Sequence, residues 1–252
     1  MFLGGLPRLK LDRCGVALLG GIAIVGSGAL STEAAARAVH LPTVLLLFAF
    51  MVISAQMRLG GFYTALTRYI VALPIRENAL LGALIALAGG LSAVFSNDIV
   101  CLAMTPVIAR LCVERQLNPA SFLIGLACAA NIGSAATLIG NPQNMLIGAV
   151  LHLSFGDYVV RALPPVVLSL LALWAWLIWV PPPQIKLPTH PGDSENPPDF
   201  DRLQSAKGLS VAFALLLVFL LTDWPRELAA LLGAGVLLLS RRFHSSHVMG
   251  FV

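Results

Sequence analysis

The sequence predicts an all-α membrane protein, a polytopic helical bundle that contains a re-entrant hairpin and a broken helix. Three observations predict it. Apolar residues make up 58% of the 252 residues and charged residues 11%, whereas soluble domains carry about a quarter. Mean hydropathy is +0.87, with the apolar residues gathered into runs that suit membrane helices. Two of those runs are interrupted by polar residues, at Ser96-Asn97-Asp98 and over 131–144.

The elements follow in order. Residues 15–30 are a short, glycine-rich first span suited to close helix packing. Residues 31–37, with Ser31, Thr32, Glu33 and Arg37, read as a polar connection, and 41–57 as the second span. Over 58–73, charges and aromatics (Phe62, Tyr63, Arg68, Tyr69) alternate with apolar residues, as in an amphipathic helix at the interface. The runs 79–95 and 99–109 flank the tripeptide. The second run reaches only about 16 Å, short of a hydrocarbon core of about 30 Å, so the pair reads as a re-entrant hairpin.

Residues 121–151 read as one crossing, broken at 131–144. The run 158–180 is the most regular span, with Trp174, Trp176 and Trp179 as interfacial anchors. Arg161, just before Pro164-Pro165, reads as a snorkelling residue. Residues 181–207 hold Pro181, Pro182, Pro183, Pro188, Pro191, Pro197 and Pro198, a linker composition. The runs 209–222 and 228–240 are the last two spans, which makes about six crossings plus the hairpin.

Charge sets the orientation. With the N-terminus in the cytoplasm, Arg8, Lys10, Arg13, Arg58, Arg68, Arg76, Arg110, Arg115, Lys186, Arg202, Lys207, Arg241 and Arg242 face inside. Arg37, Arg161 and Arg226 face outside, a strong positive-inside bias. The net charge of +4 is spread in short clusters between apolar runs, so no nucleic-acid partner is expected. Cys14, Cys101, Cys112 and Cys128 lack metal spacing and read as small reduced residues, with a soft-ligand role for Cys101 or Cys128 the remote alternative. No P-loop, GxSxG or HExxH motif is present, which argues against an ATP-driven pump, an intramembrane protease or any other enzyme.

The two interruptions carry the chemistry. Asp98 is the one acidic residue placed at membrane depth, where carboxylates pair or handle protons and ions. With Ser96 and Asn97 it offers oxygen ligands to a hard cation such as Na⁺, or a carboxylate that carries H⁺. Alternatively Asp98 is the N-cap of the second hairpin arm. In the longer break, Asn131, Ser134, Thr137, Asn141 and Asn144 supply side-chain oxygens and amides, while Gly133 and Gly140 let backbone approach a ligand. Pro142 disfavours helix at Asn141, and a helix starting after it would favour an anion. The simpler alternative for 131–144 is a polar helix–helix contact or a buried loop.

Phe95-Ser96-Asn97-Asp98 and Ile139-Gly140-Asn141-Pro142-Gln143-Asn144-Met145-Leu146-Ile147 resemble the ion transporter superfamily. The likeness is nearest to ArsB/NhaD-type and citrate-transporter-like permeases and YbiR-type inner-membrane proteins. The resemblance implies a gradient-driven secondary transporter of an anion or ion in the bacterial inner membrane. It implies Na⁺ or H⁺ as coupling ion, no other cofactor, and a homodimer. Ser96, Asn97 and Asp98 match the family's hairpin tip, and Asn131, Gly133, Thr137, Gly140, Pro142 and Asn144 match its broken helix. Asp98 favours the arsenite and antiporter branches over the dicarboxylate branch, which has Thr there.

The family fold has two inverted repeats. Against it, 1–180 reads as the first repeat with hairpin 77–113 and broken helix 120–152, 181–207 as a cytoplasmic linker, and 208–252 as an incomplete second repeat. Ala17-Leu18-Leu19-Gly20 recurs as Ala230-Leu231-Leu232-Gly233, which sets Val252 opposite Val39. The competing expectations are a truncated half-permease or inactive fragment that needs a second chain for transport, and a membrane scaffold with no substrate.

Overall fold

The computed structural model describes residues 13–183, 200–222 and 224–239, all of them helix, turn or coil. The chain divides into two compact units, 1–41 and 42–252. In the first, α1 (Arg13–Gly26) ends where Gly28 takes a φ of 75°. The expected polar connection is instead a helix, α2 (Thr32–Ala38). Ser31 Oγ accepts from the Ala34 amide, and this N-cap suffices to start an alanine-rich turn.

The second unit begins with α3 (Leu41–Leu59), which turns into α4 (Phe62–Val71) through Gly61, at φ 67°. Helix α4 has an amphipathic sequence, but its Tyr63, Thr64 and Thr67 are buried. The hairpin is α5 (Glu77–Ser92) and α6 (Asn97–Glu114), joined by a tight turn over 93–96. Arm α6 is longer than the sequence predicted. Its 18 residues, with Pro106 inside, reach about 27 Å rather than about 16 Å. The short-arm argument for re-entry therefore does not hold.

The broken helix is α7 (Pro119–Ser134) and α8 (Pro142–Val150). Each half has proline in its first turn and an asparagine N-cap, Asn118 and Asn141. Proline fits there because the first-turn amide lacks an intrahelical acceptor anyway. Helix α9 (Phe155–Trp179) follows, capped by Ser154. Helices α10 (Arg202–Leu221) and α11 (Arg226–Leu238) complete the described chain. Asp201 caps α10, so the last part of the expected 181–207 linker is helical. Residues 184–199 of that linker, the N-terminal 1–12 and the end at 240–252 lie outside the described residues.

Among the described residues, Leu41–Leu59, Phe155–Trp179 and Arg202–Leu221 are long and apolar enough to cross a membrane. Gly15–Gly26, Glu77–Ser92 and Pro119–Ser134 are shorter apolar helices. The core of the second unit lies where α5, α6 and α7 meet, with Phe122, Leu126 and Ala129 of α7 buried against them. At the other end, Gln56 Nε2 donates to Gln204 Oε1 at 2.7 Å, and Ser205 Oγ and the Asp201 amide both donate to the Gly60 carbonyl. These bonds fix the start of α10 to the α3–α4 turn.

Candidate functional site

The last turn of α7 organises the polar centre. Asn97 Nδ2, at the start of α6, donates to Asn131 Oδ1 at 3.0 Å. One turn on, Ser134 Oγ accepts from Asn141 Nδ2, also at 3.0 Å. Two half-helix starts, those of α6 and α8, are thus tied to one turn of a third helix. A further bond joins the two interruptions directly, because Thr137 Oγ1 donates to the Ala93 carbonyl of the hairpin turn at 2.5 Å.

Within the break, side chains replace lost helical partners. Asn141 Oδ1 accepts from the Asn144 amide at 2.8 Å, the N-cap bond of α8. Asn144 Nδ2 donates to the carbonyls of Thr137 (3.0 Å) and Ser134 (3.3 Å). Tyr158 Oη of α9 donates to the Ala135 carbonyl at 3.1 Å. Unpaired backbone groups in a membrane interior cost several kcal/mol each, so these bonds are what permit the break.

The glycines have a steric reason. A Cβ on Gly133 would lie 2.2 Å from the Gly89 carbonyl oxygen, where α7 crosses α5. A Cβ on Gly140 would lie 2.2 Å from the Ser134 oxygen, where the break folds back over α7. Neither has positive φ. On the Cβ side of each glycine the close neighbour is backbone of the chain itself.

Asn131 is bonded at both ends, its Nδ2 donating to the Ala127 carbonyl with one amide hydrogen left over. Asn141 is likewise bonded at both ends with one Nδ2 hydrogen left over, and Ser134 Oγ donates to the Asn131 carbonyl. Asn97 keeps its Oδ1 and Asn144 its Oδ1. Ser96 is the N-cap of α6 but makes no side-chain cap bond. Asp98, in the first turn of α6, is therefore not the N-cap, and it is exposed. Gln143 is exposed as well, at the start of α8. Gln143 lies within the 131–144 stretch but outside the set of site residues expected from the sequence. Gly89, Ala93 and Tyr158 were also not assigned, because only their positions across the fold connect them to it. Among the described residues no cluster of His, Cys, Asp and Glu could hold a metal ion.

A family model described as citrate transporter (CitMHS) matches residues 6–252. The chain belongs to the citrate transporter family. Relatives include the silicon efflux transporter LSI3 of Oryza sativa subsp. japonica, 34% identical over 159 residues, which are 63% of this chain and 33% of that protein. An uncharacterized transporter of Mycobacterium tuberculosis is 28% identical over 255 residues, covering 94% of this chain and 59% of the relative. The putative transporter arsB of Dictyostelium discoideum is 26% identical over 151 residues, covering 60% and 27%. All three carry transporter names and none an enzyme name. This citrate transporter family chain spans less than two thirds of the length of each.

Proposed function

We propose that the chain builds the solute site of a secondary active transporter. It would carry a small inorganic or organic anion, or an ion, across the bacterial inner membrane, with its N-terminus in the cytoplasm. The supporting observation is the pair of ties, Asn97 to Asn131 and Thr137 to Ala93, which brings an aspartate-bearing tip against a broken helix. Oxygens of Ser96, Asn97 and Asp98 suit Na⁺, and the Asp98 carboxylate suits H⁺. Half-helix starts at membrane depth favour an anionic group. Cation and anion held side by side are what coupling to a gradient requires. The relatives' names, with citrate, silicon and arsB among them, fit a small solute.

Uptake into proteoliposomes across a panel of anions, with and without a Na⁺ or pH gradient, tests this reading. Gradient-dependent uptake should fall about tenfold or more in Asp98→Asn and Asn141→Ala, the scale of a lost hydrogen bond to a charged group. Unchanged uptake in both variants removes the site.

A second reading has one observation in its favour. Asp98, Asn131 and Gln143 are all exposed, and a carboxylate at membrane depth needs protein or water around it rather than lipid. On this reading the chain is a half-permease whose site is closed by a second copy or a separate second half. Uptake that is absent for the chain alone and appears on co-expression of such a partner supports it.

A further inference from the structure

The back of the hairpin carries a feature that solute binding does not use. Between α5 and α9 runs a groove of about 610 Å³ whose lining residues are all apolar. Gly82, Ala86 and Gly90 of α5 form one wall and Leu163, Val167 and Leu171 of α9 the other. One end of its lining is at Ala79 and Trp174, where Trp174 Nε1 donates to the Asn78 carbonyl at 2.8 Å. Its inner end reaches Ala93 and Ala136, behind the tip and the break.

The glycines separate the packed part of the groove from the open part. A Cβ on Gly82 would meet Trp174 at 2.8 Å, and one on Gly89 would meet Leu170 at 2.9 Å. Gly90 has nothing within 4 Å. Glycine inside a helix costs about 1 kcal/mol relative to alanine, and contacts within the chain give Gly90 no reason to be there. An occupant from outside the chain gives one.

Length and charge choose the occupant. From Ala79 to Ala93 is 14 steps, about 21 Å at 1.5 Å each, a length that one extended hydrocarbon chain fills. One turn before Ala79, the N-cap of α5 is Arg76, an exposed cation. The positive-inside count places it with the cytoplasmic leaflet, whose anionic lipids attract such residues. Trp174 at the same end of the lining matches the aromatic belt of that interface.

We propose that this groove binds one acyl chain of an anionic phospholipid from the cytoplasmic leaflet, with Arg76 facing the phosphate. The inference rests on the membrane orientation proposed above and is independent of transport.

Native mass spectrometry of the full chain, purified and exchanged into phosphatidylglycerol or phosphatidylcholine, tests it. Wild type should retain one phosphatidylglycerol in preference to phosphatidylcholine. Arg76→Gln, a surface change, should reduce that preference about fivefold, the effect of one basic residue near the membrane surface. Gly90→Leu, which fills the groove, should abolish retention of either lipid at an unchanged elution volume. Equal retention by wild type and Gly90→Leu overturns the proposal. So does a dimer that Gly90→Leu dissociates, because the occupant is then a second copy. If Gly90→Leu does not fold, unchanged selectivity in Arg76→Gln is sufficient to overturn it.

Discussion

The side-chain amide of Asn97 donates to the side-chain oxygen of Asn131 over 3.0 Å, across 34 residues of chain. It connects the start of one helix to the end of another, and both ends lie beside a backbone interruption. A double-mutant cycle with Asn97→Ala and Asn131→Ala should give a coupling of about 0.5–1.5 kcal/mol in unfolding free energy. The cycle is needed because Asn131 also bonds the Ala127 carbonyl. Zero coupling would mean that the bond contributes nothing.

Three glycines should respond differently to alanine. Gly133→Ala and Gly140→Ala each place a methyl group against backbone that cannot rotate away, and should lose about 1–3 kcal/mol. Gly90→Ala enters open space and should gain up to about 1 kcal/mol from helix propensity. Thermal midpoints in detergent separate these outcomes. A wild-type midpoint for Gly133→Ala would show that α5 and α7 do not cross so closely.

Asn141 has two separable jobs. Its Oδ1 caps the Asn144 amide and its Nδ2 holds Ser134. Asn141→Asp keeps the cap and loses the donor, while Asn141→Ala loses both. The alanine variant should lose about 1 kcal/mol, the usual cost of an N-cap. Hydrogen exchange at the Asn144 amide should be fast in the alanine variant and near wild type in the aspartate variant. Equal exchange in both would contradict the capping role.

The two interruptions were legible because polar residues, glycine and proline crowded into an apolar run work against a continuous membrane helix. What the polar residues do there was not legible. Thr137 reaching Ala93, and Asn144 reaching two carbonyls, depend on a fold-back that spacing does not encode. The same holds for Gly133, whose partner Gly89 lies on another helix. The length of α6 was misread because the charges of Arg110, Glu114 and Arg115 read as a return to the interface, yet the helix runs on through Arg110 to Glu114. The short α2 was missed because its polar residues look like a loop until Ser31 is seen to cap it.

Tyr63 tests the cost of an unpaired hydroxyl outside the candidate site. It is fully buried on α4, and its ring stands edge-on to Phe95 at 5.7 Å. Ser54 is its neighbouring hydroxyl, yet neither oxygen has a partner at bonding geometry. Burial pushes the phenol pKa well above its ordinary value of 10.0. The folded state therefore keeps a proton that the unfolded chain loses above about pH 10, so wild-type stability should fall as pH rises beyond that point. Tyr63→Phe should show a weaker fall and, at neutral pH, should gain about 1 kcal/mol by removing an unsatisfied group. An equal alkaline fall in both proteins would contradict this.

Whether the tip and the break line one hydrated, solute-sensitive pocket is tested most directly by cysteine accessibility. The four native cysteines are replaced by serine, and single cysteines are placed at Asp98 or Gln143, the exposed positions on either side. Sealed vesicles are then treated with a membrane-impermeant maleimide. A shared pocket predicts labelling at both positions, and slower labelling at Gln143, where Asp98 is intact, in the presence of the transported solute or its coupling ion. No labelling at either position, or no slowing at Gln143, would contradict it.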